Sequence, residues 1–260
     1  MLVAGNYVGL ECTPPHDITG EPMEPHMPRG KGAERIIGLM IKSREALACL
    51  SGGLTVADMI WPWGQGTRML LEPFAEQYGL TGRVISAVDL VCGLGRLAGL
   101  EPIAVPGITG FLDTNYRGKG EAACRALAEG DFVYVHVEAP DEASHMGDTG
   151  EKVKALERFD AEVVGPVLSY LDGSGAGYRV LVAPDHPTFI STRTHDGTPV
   201  PYAVCGSGIE ASASLEFSEK EAARGGPHFD PGYKLMSALI NGVRSDFISS
   251  LPPIELSSDD

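Results

Sequence analysis

The chain has 260 residues, room for one large domain or two modest ones with a real core. Twenty lysines and arginines face 35 aspartates and glutamates, a formal charge of −15. That charge repels phosphate backbones and anionic lipid, and no apolar run approaches the ~20 residues that span a bilayer, so nucleic-acid and membrane roles are set aside.

The start, MLVAGNYVGLECTPP, has neither a basic head nor a long apolar stretch. The five cysteines are scattered and never spaced as CxxC, which argues against a disulfide framework or a zinc knuckle. The expectation is a cytoplasmic, reduced enzyme or binding domain.

In chain order, TPPHDITGEPMEPHMPRGKG holds five prolines and three glycines, too many for a regular element. Ala33 to Leu50 reads as a helix, with Ile36, Ile37, Met40, Ile41, Leu47 and Leu50 at near-helical spacing. WPWGQG breaks regularity, and LEPFAEQYGL reads as a short helix ended by Gly79. From Arg83 the rhythm changes: VISAV, PIAV, FVYVHV, RVLVA and PVPYAVCG are short β-branched runs typical of buried strands. Helices are expected between them over Asp89–Leu100, Gly118–Ala128, Lys152–Tyr170 and Tyr233–Val243. The alternation implies parallel strands with helical crossovers, an α/β fold. The shift in composition near Gly79–Gly82 marks the expected boundary between a smaller N-terminal module, residues 1–80, and an α/β core, residues 81–260. GLG at 93–95 and GSG at 206–208 lack the phosphate-binding fingerprint and read as turns.

Ligands of open α/β sheets collect at the carboxyl ends of strands. DFVYVHV runs into EAPDEASH, offering His136, Glu138, Asp141, Glu142 and His145; Asp141 and His145, four apart, share one helical face. RVLVAP runs into Asp185 and His186, and THDGTP adds His195. An Asp-His pair alone is more often a hydrogen-bonding pair than a ligand set. Together these residues form a set for two divalent cations, Zn2+ or Mn2+ by ligand type. Two ions ~4 Å apart suit phosphoryl transfer, stabilising both attacking and leaving oxygens. His136 lies inside the strand run and reads as a core or supporting histidine.

VHVEAPDEASHMGD, APDHPTF and RTHDGTPVPY, with TPPHDITG, WPWGQG, VISAVDL and VPGITGFLDTNYRGKG, resemble the archaeal-type 2,3-bisphosphoglycerate-independent phosphoglycerate mutases of the alkaline phosphatase superfamily. Within that family the sequence is most similar to the branch proposed as homoserine kinases. The resemblance implies an alkaline phosphatase-like core, its parallel sheet sandwiched by helices, with part of an inserted α+β cap in residues 1–80. It implies that Asp141, His145 and His195 hold one cation and Asp185 and His186 a second. It also implies a nucleophilic serine upstream of Met1, the chain reading as a C-terminal portion without catalysis of its own. The substrate implied is a small phosphorylated metabolite, and an incomplete core implies self-association. Lys119 and Arg193 are the basic residues nearest the matched motifs, either meeting the phosphate or facing solvent. Cys92 and Trp63 stand where mutase relatives are expected to carry lysine and arginine. The alternatives are a homoserine kinase-like phosphotransferase and a non-catalytic module that binds a metal or a partner.

Overall fold

The structure, a computed structural model, describes residues 5, 8–50, 57–67, 69–211, 216–225 and 227–241. It divides into two units, Met1–Leu71 and Glu72–Asp260. In the first, strands β1 (Leu10–Glu11) and β2 (Arg29–Gly30) pair antiparallel. A side chain at Gly30, whose φ is +86°, would run into the Gly9 carbonyl, so the pairing depends on glycine there. The prolines between the strands leave only short tight turns at Pro15–Ile18 and Glu24–His26. Helix α1 (Ala33–Leu50) forms where the spacing predicts. Ile36 and Met40, one turn apart, are buried with Leu10 and Ala33, and Trp61 packs on that cluster while donating its indole N–H to the Thr13 carbonyl at 2.8 Å. Ile41, expected on the same face, is instead 57% exposed.

The second unit opens with α2 (Phe74–Tyr78), stopped by left-handed Gly79 at φ +69° as expected. There follow β3 (Gly82–Ile85), α3 (Asp89–Leu97), β4 (Glu101–Pro102), α4 (Tyr116–Glu129) and β5 (Phe132–Val135). The strands lie in the order β4-β3-β5, both pairs parallel, with Gly82 opposite Phe132 and Ile85 opposite Val135. This is the α/β arrangement anticipated. The division falls at Leu71, ahead of Gly79–Gly82, because α2 is tied to the sheet: the Phe74 ring stacks on Phe132 at 4.7 Å and its N–H donates to the Ala98 carbonyl at 2.8 Å. Ile85, Val105, Ala122 and Ala123 are buried between sheet and α4, each large aliphatic contributing roughly 1.5–3 kcal/mol. GLG at 93–95 is not a turn but lies inside α3, where a Cβ on Gly95 would meet Val84 Cγ1 at 2.6 Å; the glycine lets the helix settle on the strand. GSG is a turn, with Gly206 at φ 115° and Gly208 at φ 74°.

The chain continues through α5 (Ala139–Met146), α6 (Thr149–Phe159) and α7 (Gly165–Ser174). A single helix was expected over Lys152–Tyr170; a wide π turn at Asp160–Val164 joins α6 to α7, with the Gly165 N–H bonded back to the Asp160 carbonyl. The cause is Pro166, which has no N–H to offer the Glu162 carbonyl four residues earlier. A side chain at Gly120 of α4 would collide with that same carbonyl. Gly120→Ala is therefore expected to destabilise the protein by about 1–3 kcal/mol through overpacking, although alanine's helix propensity alone would add about 1 kcal/mol. Urea unfolding midpoints check this.

The remaining elements are β6 (Arg179–Val182), β7 (Thr188–Phe189), β8 (Thr194–His195), β9 (Ala203–Gly206), α8 (Glu219–Gly225) and α9 (Lys234–Asn241). The expectation of parallel strands fails here: β6 pairs antiparallel with β9. Between them lies the β7–β8 hairpin rather than a helical crossover, so the chain reverses. The last two residues of the expected helix over 233–243 lie outside the described residues. Arg179 donates to the Leu239 and Ile240 carbonyls at 3.0 and 2.8 Å, fixing the end of α9 beside β6. Among the described residues no helix is long and apolar enough to cross a membrane.

Candidate metal centre

Three histidines and two aspartates meet where β5, β6 and the β7–β8 hairpin end. Pro140 starts α5 and left-handed Gly147 stops it, leaving two turns. Asp141 and His145 share one face, with Oδ2 and Nε2 3.2 Å apart. The hairpin delivers His195, whose Nε2 lies 3.1 Å from His145 Nε2 and 3.6 Å from Asp141 Oδ1. One donor atom from each lies within 4.8 Å of the others.

The tautomer of His145 follows from its other nitrogen. Nδ1 is 2.8 Å from the Arg193 carbonyl, and a carbonyl only accepts, so Nδ1 carries a hydrogen and, in the neutral ring, Nε2 is the nitrogen that offers a lone pair. A carboxylate and two convergent imidazole nitrogens fit a divalent transition-metal ion. Arg193 closes the hairpin with a left-handed backbone, φ 59°, its N–H donating to Phe189 at 2.7 Å. Its guanidinium packs over Gly147, where an added Cβ would lie 2.7 Å from Nε.

Asp185 and His186 follow β6. The His186 ring lies tilted against that of His195, their centroids 3.9 Å apart. Asp185 accepts the His186 N–H at 3.1 Å and is 63% exposed. All five expected ligands thus lie in one neighbourhood, three converging and two adjoining. Among the described residues of this unit no third histidine, cysteine or carboxylate completes the Asp185–His186 pair in the same way. Thr188, buried at the start of β7, donates to Asp141 Oδ1 and has His186 Nδ1 3.3 Å away. Neither Thr188 nor the Arg193 carbonyl stood out in the sequence; the available signal was a hydroxyl residue two places after Asp-His.

Of the two roles open to Lys119 in the sequence, the solvent-facing one fails. Lys119 is fully buried, its ammonium donating to the His136 carbonyl at 2.8 Å. Burial pushes that ammonium down to about 8, with Glu138 pulling the other way. Asn115 caps α4 by accepting the Gly118 N–H at 2.9 Å, which aims the first turn under β5. His136 itself meets Glu138 at 3.2 Å and Ser86 Oγ at 3.2 Å, and burial lowers its pKa. Ser86 also accepts the Val88 N–H, and buried Ser144 donates to the Pro140 carbonyl, so both hydroxyls are engaged in the scaffold.

Burial, then the charges of Asp141, Asp185 and Glu142, push the Glu138 carboxyl up to about 7. An unfolded glutamate releases its proton near the ordinary value of about 4.3. Between those values the folded state binds more protons than the unfolded one. The metal-free protein should therefore lose stability, on the order of 2 kcal/mol, as pH rises from about 4.3 to 7. Glu138→Gln should flatten that slope in urea titrations run with chelator.

A family model described as the Metalloenzyme superfamily matches residues 8–227. A relative from Methanothrix thermoacetophila, named 2,3-bisphosphoglycerate-independent phosphoglycerate mutase, is 49% identical, covering 89% of this chain and 61% of that protein. One of the same name from Methanosarcina acetivorans is 45% identical, covering 87% of this chain and 59% of that protein. The chain thus spans about three fifths of the length of these curated relatives. The solved structure of the PH0037 protein from Pyrococcus horikoshii superimposes with a TM-score of 0.59 at 26% identity, over 71% of this chain and 53% of that one.

Proposed function

The chain belongs to the Metalloenzyme superfamily, and on that premise we propose that it carries the metal-holding portion of a 2,3-bisphosphoglycerate-independent phosphoglycerate mutase. The observation that carries the reading is the convergence of Asp141, His145 and His195, with the Arg193 carbonyl holding a hydrogen of His145 on Nδ1. Asp141, His145 and His195 would hold one divalent cation, and Asp185 and His186 would contribute to a second, Mn2+ or Zn2+ by donor type. Bound there, such ions act as Lewis acids on phosphoryl and hydroxyl oxygens. The chain's own residues keep that corner acidic, with Glu138, Asp141 and Asp185 near one another and the ammonium groups of Lys119 and Lys152 turned to backbone carbonyls. Arg193, exposed beside Gly147, would meet a phosphate arriving from solvent. The names of the curated relatives support 3-phosphoglycerate and 2-phosphoglycerate as substrates, and residues 1–80 would be part of an inserted cap domain.

The test is chelator stripping followed by titration with Zn2+ and then with phosphate esters, monitored by 31P NMR. Uptake of one to two ions, followed by zinc-dependent shifts of the 3-phosphoglycerate signal, supports the reading. Absence of uptake overturns it. Shifts for homoserine phosphate and none for phosphoglycerate would transfer it to the kinase-like alternative.

A further inference from the structure

We propose that Thr188 is a positioning residue that links the two ligand sets and selects the metal-binding tautomer of His186. The inference rests on the metal reading above and deepens it.

A threonine hydroxyl has one hydrogen to give and two lone pairs with which to accept. Here the hydrogen goes to Asp141 Oδ1. What remains toward His186 Nδ1, 3.3 Å away, is a lone pair. The contact is therefore attractive only when His186 carries a hydrogen on Nδ1, which in the neutral ring leaves Nε2 without one, 3.5 Å from Asp185 Oδ2. The run is directional: His186 Nδ1–H to Thr188 Oγ1, then Thr188 O–H to Asp141. The Arg193 carbonyl does the same for His145. Two histidines from different elements are thus set alike, one by a backbone carbonyl and one by a hydroxyl.

Thr188 is itself held firmly. It is 5% exposed, sits in the β7–β8 ladder opposite His195, and its carbonyl accepts from Lys152 Nζ at 3.0 Å. One small side chain therefore touches a carboxylate of the first set and an imidazole of the second, on a strand paired to His195.

The experiment needs no turnover. Long-range 1H–15N correlation spectra of the metal-free protein at about pH 8, above the ordinary imidazole range, report which nitrogen of His186 bears the hydrogen. The expected result is Nδ1–H in the protein as it stands, conversion to Nε2–H in Thr188→Val, and retention of Nδ1–H in Thr188→Ser. Zn2+ titration should show weaker binding by about 10- to 100-fold in Thr188→Val, the range for lost outer hydrogen bonds to ligands, and near-normal binding in Thr188→Ser. His186 bearing its hydrogen on Nε2 in the unmodified protein overturns the inference even if both variants fold poorly. Zinc uptake with that tautomer defeats the Thr188 role while sparing the metal centre. The expected tautomer without any zinc uptake defeats the metal centre and the positioning role with it.

Discussion

Asp141→Asn should abolish the thermal stabilisation that Mn2+ or Zn2+ gives the protein. An ion at 100 times its dissociation constant adds about 2.7 kcal/mol to the folded state, which raises the melting temperature of a domain this size by about 5–10 °C. Asp141 carries one oxygen toward His145 and the other toward His195 and Thr188. Its amide replacement keeps the shape but loses the charge, and one end becomes a donor facing an imidazole. Affinity should fall by more than the roughly 100-fold ceiling for outer-shell partners. The metal-free variant should behave oppositely. Asp141 is the largest electrostatic contributor holding the Glu138 carboxyl up, so removing its charge relieves repulsion and leaves the metal-free fold at least as stable. Differential scanning fluorimetry with and without ion reads both effects. A metal-dependent shift that survives in Asp141→Asn would show that the ion binds elsewhere.

The second large effect is expected at Lys119. Its side chain has no exposure and its ammonium lies on the His136 carbonyl. Lys119→Ala opens a cavity and strands that carbonyl, a combined cost of about 3–5 kcal/mol against a total stability of about 5–15 kcal/mol. Lys119→Met keeps the volume and loses the hydrogen bond, so about 1–3 kcal/mol is expected. A pH series separates the two contributions. The folded lysine releases its proton at about 8, the unfolded one near 10.4. Between these values the unfolded chain binds more protons, so stability should rise with pH across that window, and Lys119→Met should not show the rise. Equilibrium urea unfolding, metal-free, measures both.

The candidate ligands were legible because their chemistry is narrow: few residue types bind divalent ions, Asp141 and His145 declare a helical face by their spacing, and Asp185–His186 follow directly on an apolar strand run. Helix ends were equally readable where proline or glycine dictates them, as at Gly79. Strand direction was not. RVLV and AVCG look like any buried strands, and nothing local says that β6 and β9 run antiparallel; that depends on what lies between them. Lys119 could not be placed by type, since burial is decided by the carbonyl waiting inside. The π turn was readable in principle from Pro166, but its partner, the bare Cα of Gly120, is 46 residues away. Thr188 escaped notice because hydroxyl residues are common and only geometry distinguishes one.

Arg193 holds His145 through its main chain while its side chain lies elsewhere. A left-handed conformation costs a non-glycine residue roughly 1–2 kcal/mol, and asparagine or glycine would adopt it more readily than arginine does. The mount and what is mounted on it are therefore separable: the charge displayed at this corner can be rewritten, by evolution or at the bench, without retuning the imidazole held by the main chain.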